Sequence, residues 1–256
     1  MIGIFNSDQR MLEAQRYLST STSTYLINNV NDALPIFDYL LLPMSGIRSN
    51  QVKLQNAWVN LPDDFWHHCR KDCIIFTATV NEEINQLPFK CVNLSDDDLF
   101  LNANSRLTAE GVLFLLLGNT TVGLSECKVD LLGFGHSGKE IYNLLKALDV
   151  KVRVIRRKVD HETSDFMSVS TWKQLPVSDI VINTSLTNWV DEDLVNHWPK
   201  APLILNIVSA YRMPESRITS KGGHVINAGV LPALIASKSA GRILAECVMK
   251  EMEHGE

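Results

Sequence analysis

Gly133, Gly135 and Gly138 stand in the stretch LLGFGHSGKEIYNLLKALDVKVRVIRR, residues 131–157. Glycines at this spacing can each serve a bound dinucleotide differently. The first makes a tight turn, the second lets a pyrophosphate approach the backbone, and the third lets helix and strand pack closely. The loop Gly133, Phe134, Gly135, His136, Ser137 and Gly138 would then offer backbone N–H groups at a helix N-terminus to the phosphates. About twenty residues on, an acid would bind the ribose 2′-hydroxyl of NAD, whereas an arginine accommodates the 2′-phosphate of NADP. Here Arg156, Arg157 and Lys158 occupy that point, and no acid follows before Asp160. A guanidinium fork suits a phosphate, so the expected cofactor is NADP. The competing readings are a glycine turn without a ligand and a solvated basic strand end. One of the two arginines can also point away.

Ligands of open parallel sheets bind outside the carboxyl ends of the strands. That nominates Asn183, Thr184 and Ser185 after the run DIVI. It also nominates Val208 and Ser209 after LILNI, and Asn227, Ala228 and Gly229 after HVI. Asn183 and Thr184 could equally cap a turn.

The elements that must hold these residues follow from apolar periodicity. VDLL precedes the glycines as a buried strand. Ile141, Leu144, Leu145 and Leu148 mark one face of the helix after them, at i, i+3, i+4 and i+7. KVRVIR, DIVIN, LILNIV and HVINAG continue the series. In the N-terminal part IGIF, TYLI, DYLLLP, CIIFTA and KCVNL read as buried strands. SDQRMLEAQRYL reads as a helix with Asp8 as N-cap, and residues 19–24 as a turn. Alternating strands and helices imply an α/β protein with two parallel-sheet domains. The expected division is an N-terminal α/β domain over residues 1–103 and an apolar crossing helix within 104–125. A Rossmann-type dinucleotide-binding domain would follow over 126–231. The C-terminal helix, residues 232–256, would return to the first domain and pair with the crossing helix through the small residues of ASKSAG. A cleft should then lie between the domains.

The chain has 256 residues, a net charge of −5 and ordinary apolar content. No basic face or tail suggests nucleic acid. The longest apolar run, GVLFLLLG, is far short of a membrane span, and the first residues do not read as a signal peptide. Five cysteines form an odd set. Cys69 and Cys73 lie near His67 and His68, but no second ligand pair accompanies them, so no metal is expected. The cysteines fit a reduced cytoplasmic protein better.

NSRLTAEGVLFLLL, the glycine loop through Arg157, INTS, and INAGVLPALIASKSAGRILAE together resemble the A subunit of dipicolinate synthase. SDQRMLEAQRYL and DYLLLPMSG extend the resemblance into the first domain, so it spans nearly the whole chain. More remotely, the two-domain plan is similar to 2-hydroxyacid and alanine dehydrogenases. The resemblance implies an NADP-dependent oxidoreductase of sporulating Gram-positive bacteria, located in the mother-cell cytoplasm. With a flavoprotein B subunit it would oxidise a dihydrodipicolinate-type intermediate of lysine biosynthesis to pyridine-2,6-dicarboxylate. A homo-oligomer is expected. The family's Gly-Gly-Asp-x-Arg turn is NSDQR here, which keeps Asp8 and Arg10 and loses both glycines. Its Ser-Gly turn is TATV, its Arg-Pro-Gly-Gly loop is AYRMPES, and its Ser-x-Pro-Thr-x-Glu-Gly has Leu107 for the proline.

Such a reaction removes a hydride and a proton from a substrate with two carboxylates. Ser45, Arg48, Arg106 and Arg212 are the candidate substrate-binding residues. Glu110 is a candidate base, and Thr108 a candidate catalytic hydroxyl. Glu110 could instead favour the first turn of the crossing helix. Two other readings stay open. One is a weakened NADP-binding paralogue with a regulatory or scaffold role. The other is a dehydrogenase of a different small carboxylic acid.

Overall fold

Short runs of branched and aromatic apolar residues build two separate parallel sheets. The computed structural model describes residues 1–55, 57–208 and 212–254. The chain divides into one unit of residues 1–104 with 232–256, and another of residues 105–231.

The first unit carries β1 (Ile2–Phe5), β2 (Thr24–Ile27), β3 (Phe37–Leu41), β4 (Gln51–Leu54), β5 (Ala57–Asn60), β6 (Cys69–Thr77) and β7 (Lys90–Asn93). Five of these form a parallel sheet ordered β2-β1-β3-β6-β7, and β4 and β5 form an antiparallel hairpin. The hairpin is a finding that the sequence reading lacks. Its outer strand, AWVN, is largely exposed and gives little apolar signal. The helix α1 (Gln9–Leu18) connects β1 to β2, and Asp8 caps it, accepting from the N–H groups of Arg10 and Met11. A short α2 (Glu82–Asn85) precedes β7.

Next comes α3 (Asp98–Asn119), which starts six residues before the apolar stretch that announced it. The reason is local. The Asp97 carboxylate accepts from Leu99 N and Phe100 N at 2.8 and 3.0 Å and so caps the helix there. Phe100 is buried in the first unit's core, whereas Ala109, Val112 and Leu116 belong to the second unit's core.

The second unit holds β8 (Lys128–Leu132), α4 (His136–Ala147), β9 (Lys151–Arg156), β10 (Phe166–Ser168), α5 (Val169–Trp172) and β11 (Ile180–Asn183). It continues with α6 (Glu192–His197), β12 (Leu203–Asn206), α7 (Glu215–Ser220), β13 (His224–Asn227) and the start of α8 (Leu231–Ile235). The six strands are parallel and ordered β10-β9-β8-β11-β12-β13. Counted within the unit this is 3-2-1-4-5-6, the doubly wound order of dinucleotide-binding folds. Alternate strand residues enter two cores. Leu131, Val154 and Ile182 pack with Ile141 and Leu145 on one face, and Leu132, Ile155 and Val181 pack with Trp172 and Val195 on the other. Burial on both faces explains why these strands read as unbroken apolar runs.

The C-terminal segment is two helices, α8 and α9 (Ser237–Glu253), with Ala236 between them. Within the first unit α9 packs on α1. Gly241 permits this: a Cβ there would sit 2.5 Å from Glu13 Cβ and 2.8 Å from the Arg10 carbonyl oxygen. The close approach made by the small residues is therefore to α1. Phe100 of α3 joins the same cluster from its first turn.

Candidate functional site

The turn from β8 into α4 has three glycines with three different physical reasons. Gly133 has φ +99°, and a Cβ there would lie 2.5 Å from Thr184 Oγ1. At Gly138 a Cβ would lie 2.6 Å from the Gly133 carbonyl oxygen, so only glycine lets the helix sit on the turn. Gly135 differs. Its φ is −78°, which any residue adopts, and a Cβ there would meet nothing within 4 Å. The fold itself does not ask for glycine at 135. What an added Cβ would fill is open space beside the N-terminus of α4, where a phosphate can approach the backbone.

Thr184 holds this turn from the neighbouring strand. Its N–H and its hydroxyl both donate to the Leu132 carbonyl at 2.9 Å. Ser137, in the first turn of α4, has its hydroxyl 3.3 Å from that of buried Ser105. Phe134 stacks edge-on against Tyr142 and Phe166, which fixes the loop's apolar side. His136 is the first residue of α4 and is exposed.

At the end of β9 both Arg156 and Arg157 are exposed. Arg157 Nη2 donates to Thr187 Oγ1 at 3.1 Å, while Arg156 closes β9 opposite Ser168 of β10. The segment after them is tied back by Glu162. The Ser168 hydroxyl and N–H, with the Thr171 hydroxyl, hold the Glu162 carboxyl below the usual carboxylate range.

Asn183, Asn206 and Asn227 lie in register at the carboxyl ends of β11, β12 and β13. Asn183 Nδ2 donates to Asn206 Oδ1 at 3.0 Å, and Asn206 Nδ2 to Asn227 Oδ1 at 2.9 Å. Asn227 Nδ2 continues to Glu215 Oε1 at 2.6 Å. The acceptor oxygens also take Ser185 N and Val208 N. Asn183 is 1% exposed, so its side chain orders the strand ends and does not face solvent. Val208 is half-buried, Ala228 is buried, and Gly229 is exposed. Ser209 lies outside the described residues.

Asp130, inside the run VDLL, carries a buried network that the sequence reading missed. It is 0% exposed and accepts five hydrogen bonds. Two come from Arg153 in bidentate geometry, at 2.7 and 2.9 Å. The others come from Trp172 Nε1, Ser178 N and Ser178 Oγ. The register pairs Asp130 with Arg153, so a polar residue in an apolar strand next to an arginine at the matching position was the available signal.

The remaining candidates are divided. Ser45 and Arg48 belong to the first unit, and Arg106, Thr108, Glu110 and Arg212 to the second. Arg48 is exposed and lies 5.6 Å over the Trp58 ring. Arg106, Glu110 and Arg212 are exposed, and Thr108 is buried. Because α3 begins at Asp98, Glu110 stands three turns into the helix. The first-turn role considered for it is excluded.

In the first unit, Ser7 Oγ, Arg10 Nε and Ser45 Oγ are buried without a hydrogen-bond partner. An orphaned buried polar group costs about 1–3 kcal/mol, so each of the three calls for an explanation. No cluster of three metal-ligating side chains occurs among the described residues, and Cys69 and Cys73 are free thiols. Among the described residues, no helix is long and apolar enough to cross a membrane.

No family model matches the chain. It is 26% identical over 281 aligned residues to the A subunit of dipicolinate synthase from Bacillus subtilis (strain 168), covering 97% of this chain and 94% of that protein. The crystal structure of the dipicolinate synthase A subunit from Bacillus halodurans matches with a TM-score of 0.84 at 24% identity. That match covers 98% of this chain and 97% of the other. A D-isomer specific 2-hydroxyacid dehydrogenase from Xanthobacter autotrophicus Py2, solved with NADPH and MES, matches with a TM-score of 0.58 at 13% identity, over 100% and 95% of the chains. These likenesses bear out the resemblance read from the sequence, and with it a Rossmann-type α/β fold.

Proposed function

We propose that this chain, similar from end to end to the A subunit of dipicolinate synthase, is an NADP-dependent oxidoreductase. It would oxidise a dihydrodipicolinate-type compound to pyridine-2,6-dicarboxylate, working with a flavoprotein B subunit in the cytoplasm of a sporulating cell. The observation that carries the nucleotide part is Gly135. It is a glycine the fold does not need, beside open space at the N-terminus of α4, in a sheet of 3-2-1-4-5-6 order. When bound, the nicotinamide would supply the hydride acceptor.

The chain's own residues do the rest. The first-turn N–H groups of α4 bind phosphate oxygens. Arg156 is the cation for a 2′-phosphate, because Arg157 is already engaged by Thr187. Thr184 keeps the glycine turn closed, and the asparagine ladder sets the strand ends at Ser185 and Val208. Arg106, Thr108, Glu110 and Arg212 remain the second unit's candidates for substrate contact. Glu110 is exposed and could take up the proton lost on aromatisation.

The test is to generate the dihydro intermediate in situ and follow NADPH formation, with and without the flavoprotein. NADPH appearing together with pyridine-2,6-dicarboxylate supports the reading. A folded protein that binds NADPH yet turns nothing over, beside a competent partner, overturns it. Gly135→Val supplies a separate check on the loop. It should abolish binding of NADPH and NADH alike while leaving the far-UV circular dichroism unchanged, and normal affinity would reduce the loop to a turn.

A further inference from the structure

In the first unit the sheet order β2-β1-β3-β6-β7 has its reversal at β1 and β3, which pair in parallel through Ile4 and Leu41. Open α/β sheets place ligands in the crevice outside the carboxyl ends of such a pair. Ser7 follows β1 by two residues, and Arg10 stands in the first turn of the helix it leads into. Ser45 follows β3 by four residues, in the turn closed by Gly46 N donating to the Pro43 carbonyl. Ser7 is 2% and Arg10 5% exposed. Among the described residues of the unit, the orphaned atoms Ser7 Oγ, Arg10 Nε and Ser45 Oγ are therefore all at the same end of two adjacent strands.

The packing around Arg10 Nε and the two hydroxyls supplies no hydrogen-bond partner for them. Asp8 takes only Nη2 of Arg10, at 2.8 Å, and caps α1 with its other oxygen. Buried donors are paired in folded proteins with few exceptions, and each exception calls for an explanation, of which a group supplied from outside is one. We propose that Ser7, Arg10 and Ser45 form a recess that binds one carboxylate group of a small organic acid. The Arg10 Nε–H and the two hydroxyls would donate to its oxygens. Asp8 already offsets most of the Arg10 charge, so a singly charged carboxylate held by hydrogen bonds fits better than a phosphate. The choice of a pyridine carboxylate as ligand rests on the function proposed above; the recess itself does not.

The test uses the whole protein with pyridine-2,6-dicarboxylate and pyridine-2-carboxylate as probes, affinity by calorimetry and stability by thermal unfolding. Ser7→Ala and Ser45→Ala should each weaken carboxylate binding at least severalfold. Neither should lower the melting temperature, because each removes an orphaned hydroxyl. That pairing separates a binding role from a structural one, in which stability would fall. Arg10→Lys keeps the charge and loses the planar Nε donor, and should weaken binding further while NADPH affinity stays unchanged. Binding equal to wild type in both serine variants overturns the recess, as does loss of stability in step with affinity. Failure of both carboxylates to bind the wild type overturns it too. If only the monocarboxylate binds, and does so through Arg10, the recess stands and the dicarboxylate reading falls.

Discussion

Single side chains in this protein sort by whether the fold accounts for them. Gly133 and Gly138 are required by contacts with Thr184 and with each other, and Gly135 is not. Arg157 has an internal acceptor in Thr187, and Arg156 stands exposed at the last position of β9. Arg156→Ala should weaken NADPH binding more than NADH binding, by roughly 1.5–3 kcal/mol for a charge-assisted contact. Equal losses in parallel titrations would remove Arg156 from the 2′-phosphate. Asn183 shows how a correct location can carry a different role. It lies at the strand end that the sequence indicates, yet its amide is spent on Asn206 and on Ser185 N. A one-dimensional reading finds strand ends but not the register across β11, β12 and β13 that turns three asparagines into a ladder.

Elements show a similar division. The amphipathic pattern of α4 and the Asp8 cap of α1 are local properties, and both appear in the structure as the sequence implies. The start of α3 is also local, since Asp97 caps it. An exposed Leu99 and three asparagines or serines between Asn102 and Ser105 hide the helix from an apolar scan. The hairpin of β4 and β5 has no buried face along β5 and so no alternation to read. Two predictions belong here. Gly241→Val should drive α9 away from α1, with an overpacking loss of about 1–3 kcal/mol in denaturant unfolding. Asp130→Ala should leave Trp172 Nε1 and Ser178 N without their acceptor and strip Arg153 of its bidentate partner, a loss of about 3–5 kcal/mol. A change below roughly 0.5 kcal/mol, the range of an ordinary surface substitution, would mean that the network is dispensable.

For the whole molecule, pH dependence follows from several carboxylates held below their ordinary range. Asp38 is lowered first by its hydrogen bond with the N-terminal ammonium, and Asp97 first by Lys250. Asp191 is held down against its own partial burial, by Leu194 N and Lys173. A depressed carboxylate contributes stability that is present above the unfolded-state pKa and lost as pH falls through the folded one. The unfolding midpoint should therefore be flat near neutrality and fall below the ordinary carboxylate range. Removing Lys250 should flatten part of that fall. An acid limb unchanged in Lys250→Met would exclude the Lys250 contact from it and leave the Asp97 share to Leu99 N and Phe100 N.

By itself the sequence determined what depends on neighbours along the chain. It carried the glycine spacing, the apolar strands that require burial on both faces, the Asp8 cap and the basic end of β9. It also carried enough family pattern to match a dipicolinate synthase chain over nearly its full length. The tertiary structure decided what depends on strand register and on unpaired donors. Arg153 beside Asp130 and Asn183 beside Asn206 come from positions more than twenty residues away, brought opposite by parallel pairing. The orphaned atoms of Ser7, Arg10 and Ser45 are visible only once every nearby acceptor is accounted for. A sequence states which groups can bond, and only the packed fold states which of them do.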